Sequence, residues 1–353
     1  MLKRFVSTCF NRYVRTKVIK RLETYKEKGP RQAAKKYLVP LSLGPCSTTL
    51  LYILDGQSRN QRERTGRASF DLTVVNVDLE FSDHEASSRH KTLYTAIQER
   101  FPSHTYISLG IENALSLPSI DWSSLGIQLD ESLPTTDCLQ SLLKSISTAT
   151  SRTDIASTLL SRLLVDVATK HECSHILYGD STTRLAEKTL TETAKGRGFS
   201  LPWQVSDGAS PFGPTMYYPM RDLLKKEIIQ FTKLVSDPTL EELIIAGRQK
   251  TIINTTSKGT TIEDLMTQYF ESVEENYPSI VANVVRTGSK LEMPKQDGDE
   301  DPCGLCGIPL TKGTDGIYGW GGDQTSANKA IQHGLPAKTQ SILCYGCSRS
   351  ING

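Results

Sequence analysis

The sequence predicts an α/β protein: a parallel sheet with helices on both faces, preceded by a basic N-terminal helix and followed by a cysteine-rich C-terminal module. Three observations point there. Short apolar segments alternate with longer helical ones, the pattern of β-α-β units whose strands are covered on both sides. The stretch "VPLSLGPCSTTLL", residues 39–51, runs from an apolar segment through a Ser/Gly turn into a Ser/Thr-headed apolar segment, as strand, ligand loop and helix succeed one another. Near the end stand two C-x-x-C pairs, Cys303/Cys306 and Cys344/Cys347, with 37 residues between them.

In chain order, residues 9–28 read as a basic helix halted by Gly29-Pro30. "KYLVPLSL" is a short strand and "STTLLYILDG" a helix with a Ser/Thr N-cap, followed by a polar loop, "SRNQRERTGRAS". "FDLTVVNVDL" is a second strand, rich in β-branched residues; "SSRHKTLYTAIQERFP" is a helix ended by Pro102, and "HTYISLGI" a third strand. Residues 112–152, Ser/Leu-rich with several prolines, read as a long excursion. A helix follows over "IASTLLSRLLVDVATKHEC", then a strand, "SHILYGD", and a helix, "TRLAEKTLTETAKGRG". Residues 236–286 read as helical, and "EMPKQDGDEDP" as an acidic linker. The expected units are residues 1–29, 30–235, 236–292 and 293–353.

Charge is unevenly spread. Residues 1–36 carry twelve Lys/Arg against Glu23 and Glu27, so on a chain of net charge +2 the remainder stands at −8. A basic helix on a mildly acidic body suggests a polyanion partner. Lys3, Arg4, Arg12, Arg15, Lys17, Lys20 and Arg21 are the candidate RNA contacts. The same Arg-rich, acid-poor start also fits a mitochondrial transit peptide, the alternative we weigh against a retained helix. No apolar run approaches membrane-spanning length, so no membrane partner is expected.

The two cysteine pairs carry the most specific spacing in the chain. A two-residue gap lets both thiolates of one knuckle reach one metal, and two knuckles complete a tetrahedral site. Gly304, Gly307 and Gly346 allow tight turns there, and "LCYGC" reads as the second hairpin of a zinc ribbon. We expect structural zinc on Cys303, Cys306, Cys344 and Cys347. Cys9, Cys46, Cys138 and Cys173 show no ligand spacing.

The loops after the first and fourth strands hold the remaining motifs. Ser42, Leu43, Gly44, Pro45, Cys46 and Ser47 resemble the S-G-G-x-D-S phosphate loop (PP-loop) of the adenine-nucleotide α-hydrolase superfamily, which adenylates carbonyl oxygens with ATP. Ser42, Gly44 and Ser47 match; the first glycine and the aspartate do not. The superfamily's G-H-N-x-D-D-x-A-E-T becomes "GDSTTRLAEKT", keeping Gly179, Ala186 and Glu187 but placing Thr183 and Arg184 at the two aspartates. "YYPMRDLLKKEI" is similar to a segment of the tRNA-thiolating branch. Together with "YGDSTTRLAEKTLTETAKGRGFSLPWQVSD", the basic helix and "LCYGC", the chain resembles the cytoplasmic tRNA 2-thiolation protein 2 family along nearly its whole length. That family carries a cysteine pair before the basic helix; Val6 and Cys9 stand there, so no N-terminal metal site is expected and the N-terminus reads as shortened.

The resemblance implies a non-catalytic partner subunit, a pseudo-enzyme that pairs with an active PP-loop thiolase in the cytosol. The pair would serve 2-thiolation of the tRNA wobble uridine, toward 5-methoxycarbonylmethyl-2-thiouridine, with tRNA and a ubiquitin-like sulfur carrier as further partners. Residue chemistry points the same way. Leu43 puts a side chain where backbone should approach phosphate, Pro45 deletes an N–H donor, and magnesium loses the carboxylates it prefers. ATP binding is therefore not expected at Ser42, Gly44, Cys46, Ser47, Gly179 and Arg184. Two readings stand against this one: an active ATP-dependent sulfurtransferase with Cys46 as sulfur-carrying thiol, and a plain zinc-ribbon nucleic-acid binder.

Overall fold

A computed structural model describes residues 2–25, 35–79, 84–130, 132–235, 239–245, 259–292, 301–310 and 342–352. Its frame is a five-stranded sheet, all parallel, in the order β3-β2-β1-β4-β5. The strands are β1 (Lys35–Pro40), β2 (Phe70–Asp78), β3 (Thr105–Gly110), β4 (His175–Leu177) and β5 (Thr215–Tyr217). Parallel strands need covered crossovers, and alternation along each strand feeds two separate cores. Leu38 and Ile176 point to one, with Leu139 and Leu143 of helix α4 (Thr135–Ser145) and Leu159 and Leu163 of α5 (Ala149–Lys170). Val39, Val74 and Leu177 point to the other. It is built with α1 (Leu2–Thr24), α2 (Pro45–Thr65), α3 (His84–Arg100) and α8 (Lys225–Leu234). A third cluster joins α6 (Thr182–Ala194), α7 (Leu201–Val205), α9 (Ile262–Asn276) and α10 (Pro278–Gly288). No helix among the described residues is long and apolar enough to cross a membrane.

The predicted α/β class and the first four strands stand. Several local expectations do not. Helix α2 runs on to Thr65 through the stretch expected to be a polar loop, because Gln and Arg extend a helix well where one side faces water; Gly66, with φ 75°, ends it. Its N-cap is Gly44, with Pro45 at the first helical position, so Ser47 and Thr48 sit inside the first turn and do not cap it. Helix α4 lies within the predicted excursion, its Cys138, Leu139 and Leu143 buried on one side. Strand β5 and helix α8 add to the predicted elements. Of the region predicted helical at 236–286, residues 236–238 and 246–258 lie outside the described residues, as do 293–300 of the acidic linker.

The basic helix is packed against the body. Val14 and Val18 are fully buried, and Tyr25 stacks on Tyr217 with ring centroids 3.8 Å apart. Asp207 fastens the end of this segment: its carboxylate accepts from Arg21 Nε at 3.1 Å, the Tyr25 hydroxyl at 3.1 Å, Arg221 Nη1 at 3.3 Å and the Tyr218 N–H at 2.7 Å. Removing the acceptor would leave two guanidinium groups and a buried N–H unpaired. Asp207→Ala should therefore lower stability by about 2–3 kcal/mol in urea melts. A loss under about 0.5 kcal/mol, the size of an ordinary surface change, would show that the helix is held by its apolar face alone.

Candidate functional site

The sheet order reverses between β1 and β4, and in such sheets the crevice at the strands' carboxyl ends is where ligands collect. The two loops singled out in the sequence do meet there. Gly179 lies against the first turn of α2 so closely that an added Cβ would stand 2.9 Å from Ser47 Cα and 3.0 Å from Ser47 N. Ser42 Oγ and Ser47 Oγ are 3.1 Å apart, and Ser47 Oγ donates to the Gly44 carbonyl at 3.3 Å.

Leu43 adopts φ 57°, the left-handed conformation natural to the glycine that it replaces in the phosphate-loop pattern, and its side chain is fully buried. It packs in the same apolar cluster as Leu50, Leu54 and Phe231. Its carbonyl accepts from the Ile245 N–H at 2.9 Å. The turn is thus fixed from inside by packing and from outside by a backbone bond. Pro45 contributes no N–H at the head of α2.

Across the crevice, α6 starts at a proper cap: Ser181 Oγ accepts from the Arg184 N–H at 3.2 Å. The two positions where the superfamily carries aspartates have other work. Thr183 is fully buried; its hydroxyl donates to Glu274 Oε2 at 2.7 Å and accepts from the Lys225 N–H at 3.0 Å. Glu274 Oε1 accepts from the Lys226 N–H at 2.8 Å, so one buried carboxylate ties α6, α8 and α9 together. Arg184 holds Glu187 at 2.9 Å with its side chain half exposed. Sequence reasoning missed Glu274 and Lys225; the "LLKKEI" segment was the only pointer.

Cys46 sits half-buried between these helix starts. Burial, with the nearby Asp180 charge, pushes its thiol up to about 12, and Lys225 and the Ser181 hydroxyl oppose this only in part. A sulfur nucleophile needs the reverse shift.

The predicted RNA contacts divide. Arg15 bonds the Tyr52 hydroxyl and lies over its ring, Lys17 Nζ donates to the Asp222 carbonyl at 2.9 Å, and Arg21 belongs to Asp207. These three hold α1 in place. Arg12 and Lys20 are exposed, flanking a shallow groove also lined by Cys9, Tyr13 and Thr16. For Lys3 and Arg4 only the backbone is described.

The four predicted metal ligands come together. All are buried, and their sulfurs lie within 4.8 Å of one another, Cys306 and Cys344 at 3.9 Å. A tetrahedral ion with Zn–S bonds of about 2.3 Å sets its sulfurs about 3.8 Å apart, so the group could hold one such ion. Backbone N–H groups of Cys344 and Cys347 donate to Cys303 and Cys344 sulfur at 3.3 and 3.4 Å. Pro302 and Pro309 bridge across the first knuckle, but the second opens a helix, α11 (Tyr345–Asn352), in place of the expected hairpin. The sulfurs pack in the same core cluster as Leu159 and Leu163 of α5.

A family model described as cytoplasmic tRNA 2-thiolation protein 2 matches residues 261–349. Relatives of that name include one from Pyrenophora tritici-repentis (strain Pt-1C-BFP), 44% identical over 97% of this chain and 89% of its own length. Another, from Sclerotinia sclerotiorum (strain ATCC 18683 / 1980 / Ss-1), is 54% identical over 78% of this chain and 74% of its own. Among solved structures the chain is similar to the U34-tRNA thiolase NcsA from Methanococcus maripaludis with its 4Fe-4S cluster. The TM-score is 0.51 at 15% identity, over 95% of this chain and 91% of that one, a likeness of fold.

The raised thiol gives a direct test. At pH 8 a pKa near 12 leaves so little thiolate that alkylation of Cys46 should run roughly a thousandfold slower than that of an ordinary thiol. Mass mapping after iodoacetamide treatment of the native chain should find exposed Cys9 modified and Cys46 intact until denaturant is added. Early modification of Cys46 would mean an activated sulfur.

Proposed function

The chain belongs to the cytoplasmic tRNA 2-thiolation protein 2 family, and on that footing we propose that it is a non-catalytic subunit of a cytosolic tRNA 2-thiolation complex. It pairs with a homologous thiolase whose PP-loop is intact, contributes tRNA-binding surface, and binds no ATP of its own. The partner adenylates the wobble uridine and takes sulfur from a ubiquitin-like carrier. One observation carries this reading: at the turn after Leu43, Pro45 heads α2 with no N–H to offer. Phosphate binding at this turn depends on backbone N–H groups that a ligand can approach closely. Here the following residue pair is Gly44-Pro45, which supplies one fewer donor. The engagement of Thr183 with Glu274 and the raised Cys46 thiol support the same conclusion.

For the metal we propose one structural zinc on Cys303, Cys306, Cys344 and Cys347. The sulfurs lie within 4.8 Å of one another, with Cys306 and Cys344 at 3.9 Å, close to the spacing of about 3.8 Å around a single tetrahedral ion.

The decisive experiment reconstitutes tRNA thiolation with the catalytic partner. Cys46→Ala should leave the rate within about twofold of wild type, because a protonated, half-buried thiol supplies no sulfur chemistry. Omitting the chain should abolish product. An assembled Cys46→Ala complex that no longer thiolates would overturn the silent-site reading.

For RNA, deletion of the whole basic helix would strip buried Val14 and Val18 and confound the result. Charge reversal at Arg12 and Lys20 avoids this, because both side chains are exposed. For every phosphate no longer neutralised, the plot of log affinity against log salt should flatten by about one unit, and tRNA binding should weaken. Unchanged slope and affinity in Arg12→Glu/Lys20→Glu would remove α1 from the RNA surface.

A further inference from the structure

The four sulfurs are flanked by two arginines of the α/β core, one at each knuckle. Arg162 comes from α5, and its guanidinium lies directly over Gly307 of the first knuckle, where any Cβ would collide with Nη1. It donates to the Ser119 carbonyl at 2.9 Å and faces the Phe212 ring at 6.0 Å; burial lowers its pKa, and the neighbouring Cys306 and Cys303 oppose that. Arg197 follows α6 and lies over Gly346 of the second knuckle, where a Cβ would stand 2.6 Å from Nε. Its Nη2 donates to Cys347 sulfur at 3.5 Å. Asp154 of α5 holds it in place with bonds of 2.6 and 2.5 Å, and the Ser350 hydroxyl of α11 donates to the same carboxylate. The Nε atoms of both arginines are buried and have no hydrogen-bond partner among the described residues.

A divalent ion on four thiolates is a dianion, and burying it next to an apolar core is costly unless opposite charge accompanies it. We propose that Arg162 and Arg197 are outer-shell residues of the metal centre, which offset its two negative charges and lock both knuckles onto the core. At Gly346 a side chain would meet Arg197, while Gly307, with φ 74°, suits glycine on backbone grounds as well as leaving room for Arg162. This rests on the four cysteines binding metal. It goes further in making the centre a closing element of the α/β core instead of a module carried on a linker. Outer-shell groups of this kind hold ligands in place and, when lost, weaken metal binding by about ten- to a hundredfold.

Arg162 is the cleaner test, since Arg197 is also needed to neutralise Asp154. Zinc affinity of the full chain would be read by chelator competition, with melting curves recorded with and without zinc. Arg162→Gln should lose about tenfold or more in zinc affinity. Its melting temperature should fall in the zinc-loaded chain and stay near wild type in the zinc-free chain, which a packing role alone would not produce. Arg162→Lys keeps charge and stem; it should fold and recover most of the affinity, and it serves as the readout if Arg162→Gln fails to fold. Zinc affinity of Arg162→Gln within about twofold of wild type, or equal losses in Arg162→Gln and Arg162→Lys, would overturn the proposal. A wild-type chain that takes up no zinc would instead defeat the metal reading itself.

Discussion

Asp154 is the constraint on which most of the molecule depends. It is a carboxylate in the first half of α5, almost wholly buried, and an unpaired charge there would cost several kcal/mol. Burial opposes its ionisation, yet the Arg197 and Lys195 cations and the Ser350 hydroxyl together hold it well below the usual carboxylate range. Lys195 pairs with it at 2.9 Å and also with Glu263 at the start of α9. The end of α6, the start of α9 and the C-terminal helix are therefore tied to α5 by one buried charge. Each of these ties is only as good as the others, because losing any partner leaves a charge in the core.

A comparable constraint shapes the strand ends. Leu43 takes the left-handed turn that a phosphate loop needs but fills its interior side with an apolar group. Such a turn is favourable only because its packing outweighs a backbone strain of about 1–2 kcal/mol. That side chain lies on the interior side of the turn, so the silent-subunit proposal rests on the N–H missing at Pro45 and on the engagement of Thr183, not on Leu43 filling the crevice.

What could be read in the sequence follows from the range of each signal. The β-α-β alternation and the cysteine pairs are local, periodic or tightly spaced, and the sheet and the four-sulfur cluster match them. The α4 segment is obscured because its buried face, Cys138, Leu139 and Leu143, lies in a Ser- and Pro-rich stretch. The start of α2 is easily misplaced because two hydroxyls next to a helix resemble caps, when Gly44-Pro45 is the stronger start signal. The loops after β1 and β4 could be named, but not what fills them. Glu274 is 91 residues from Thr183, and Arg197 is 150 from Cys347. Pairings at that distance are set by the fold and leave no pattern in a single sequence.

These pairings give the residues of "GDSTTR" structural partners in the fold. Gly179 admits the first turn of α2, and Ser181 caps α6. Thr182 donates to the Arg221 carbonyl at 2.7 Å, Thr183 joins Glu274 to the start of α8, and Arg184 closes on Glu187. The charge of Asp180 acts on Cys46. Here a neutral hydroxyl and a cation face inward-pointing acids from α9 and α6. Restoring aspartate at position 183 would set a new carboxylate against buried Glu274, and like charges held in a buried site strongly disfavour one another. Thr183 and Glu274 are therefore a matched pair set by the fold, whereas Glu187 belongs to the retained part of the motif and Arg184 is the residue that differs beside it.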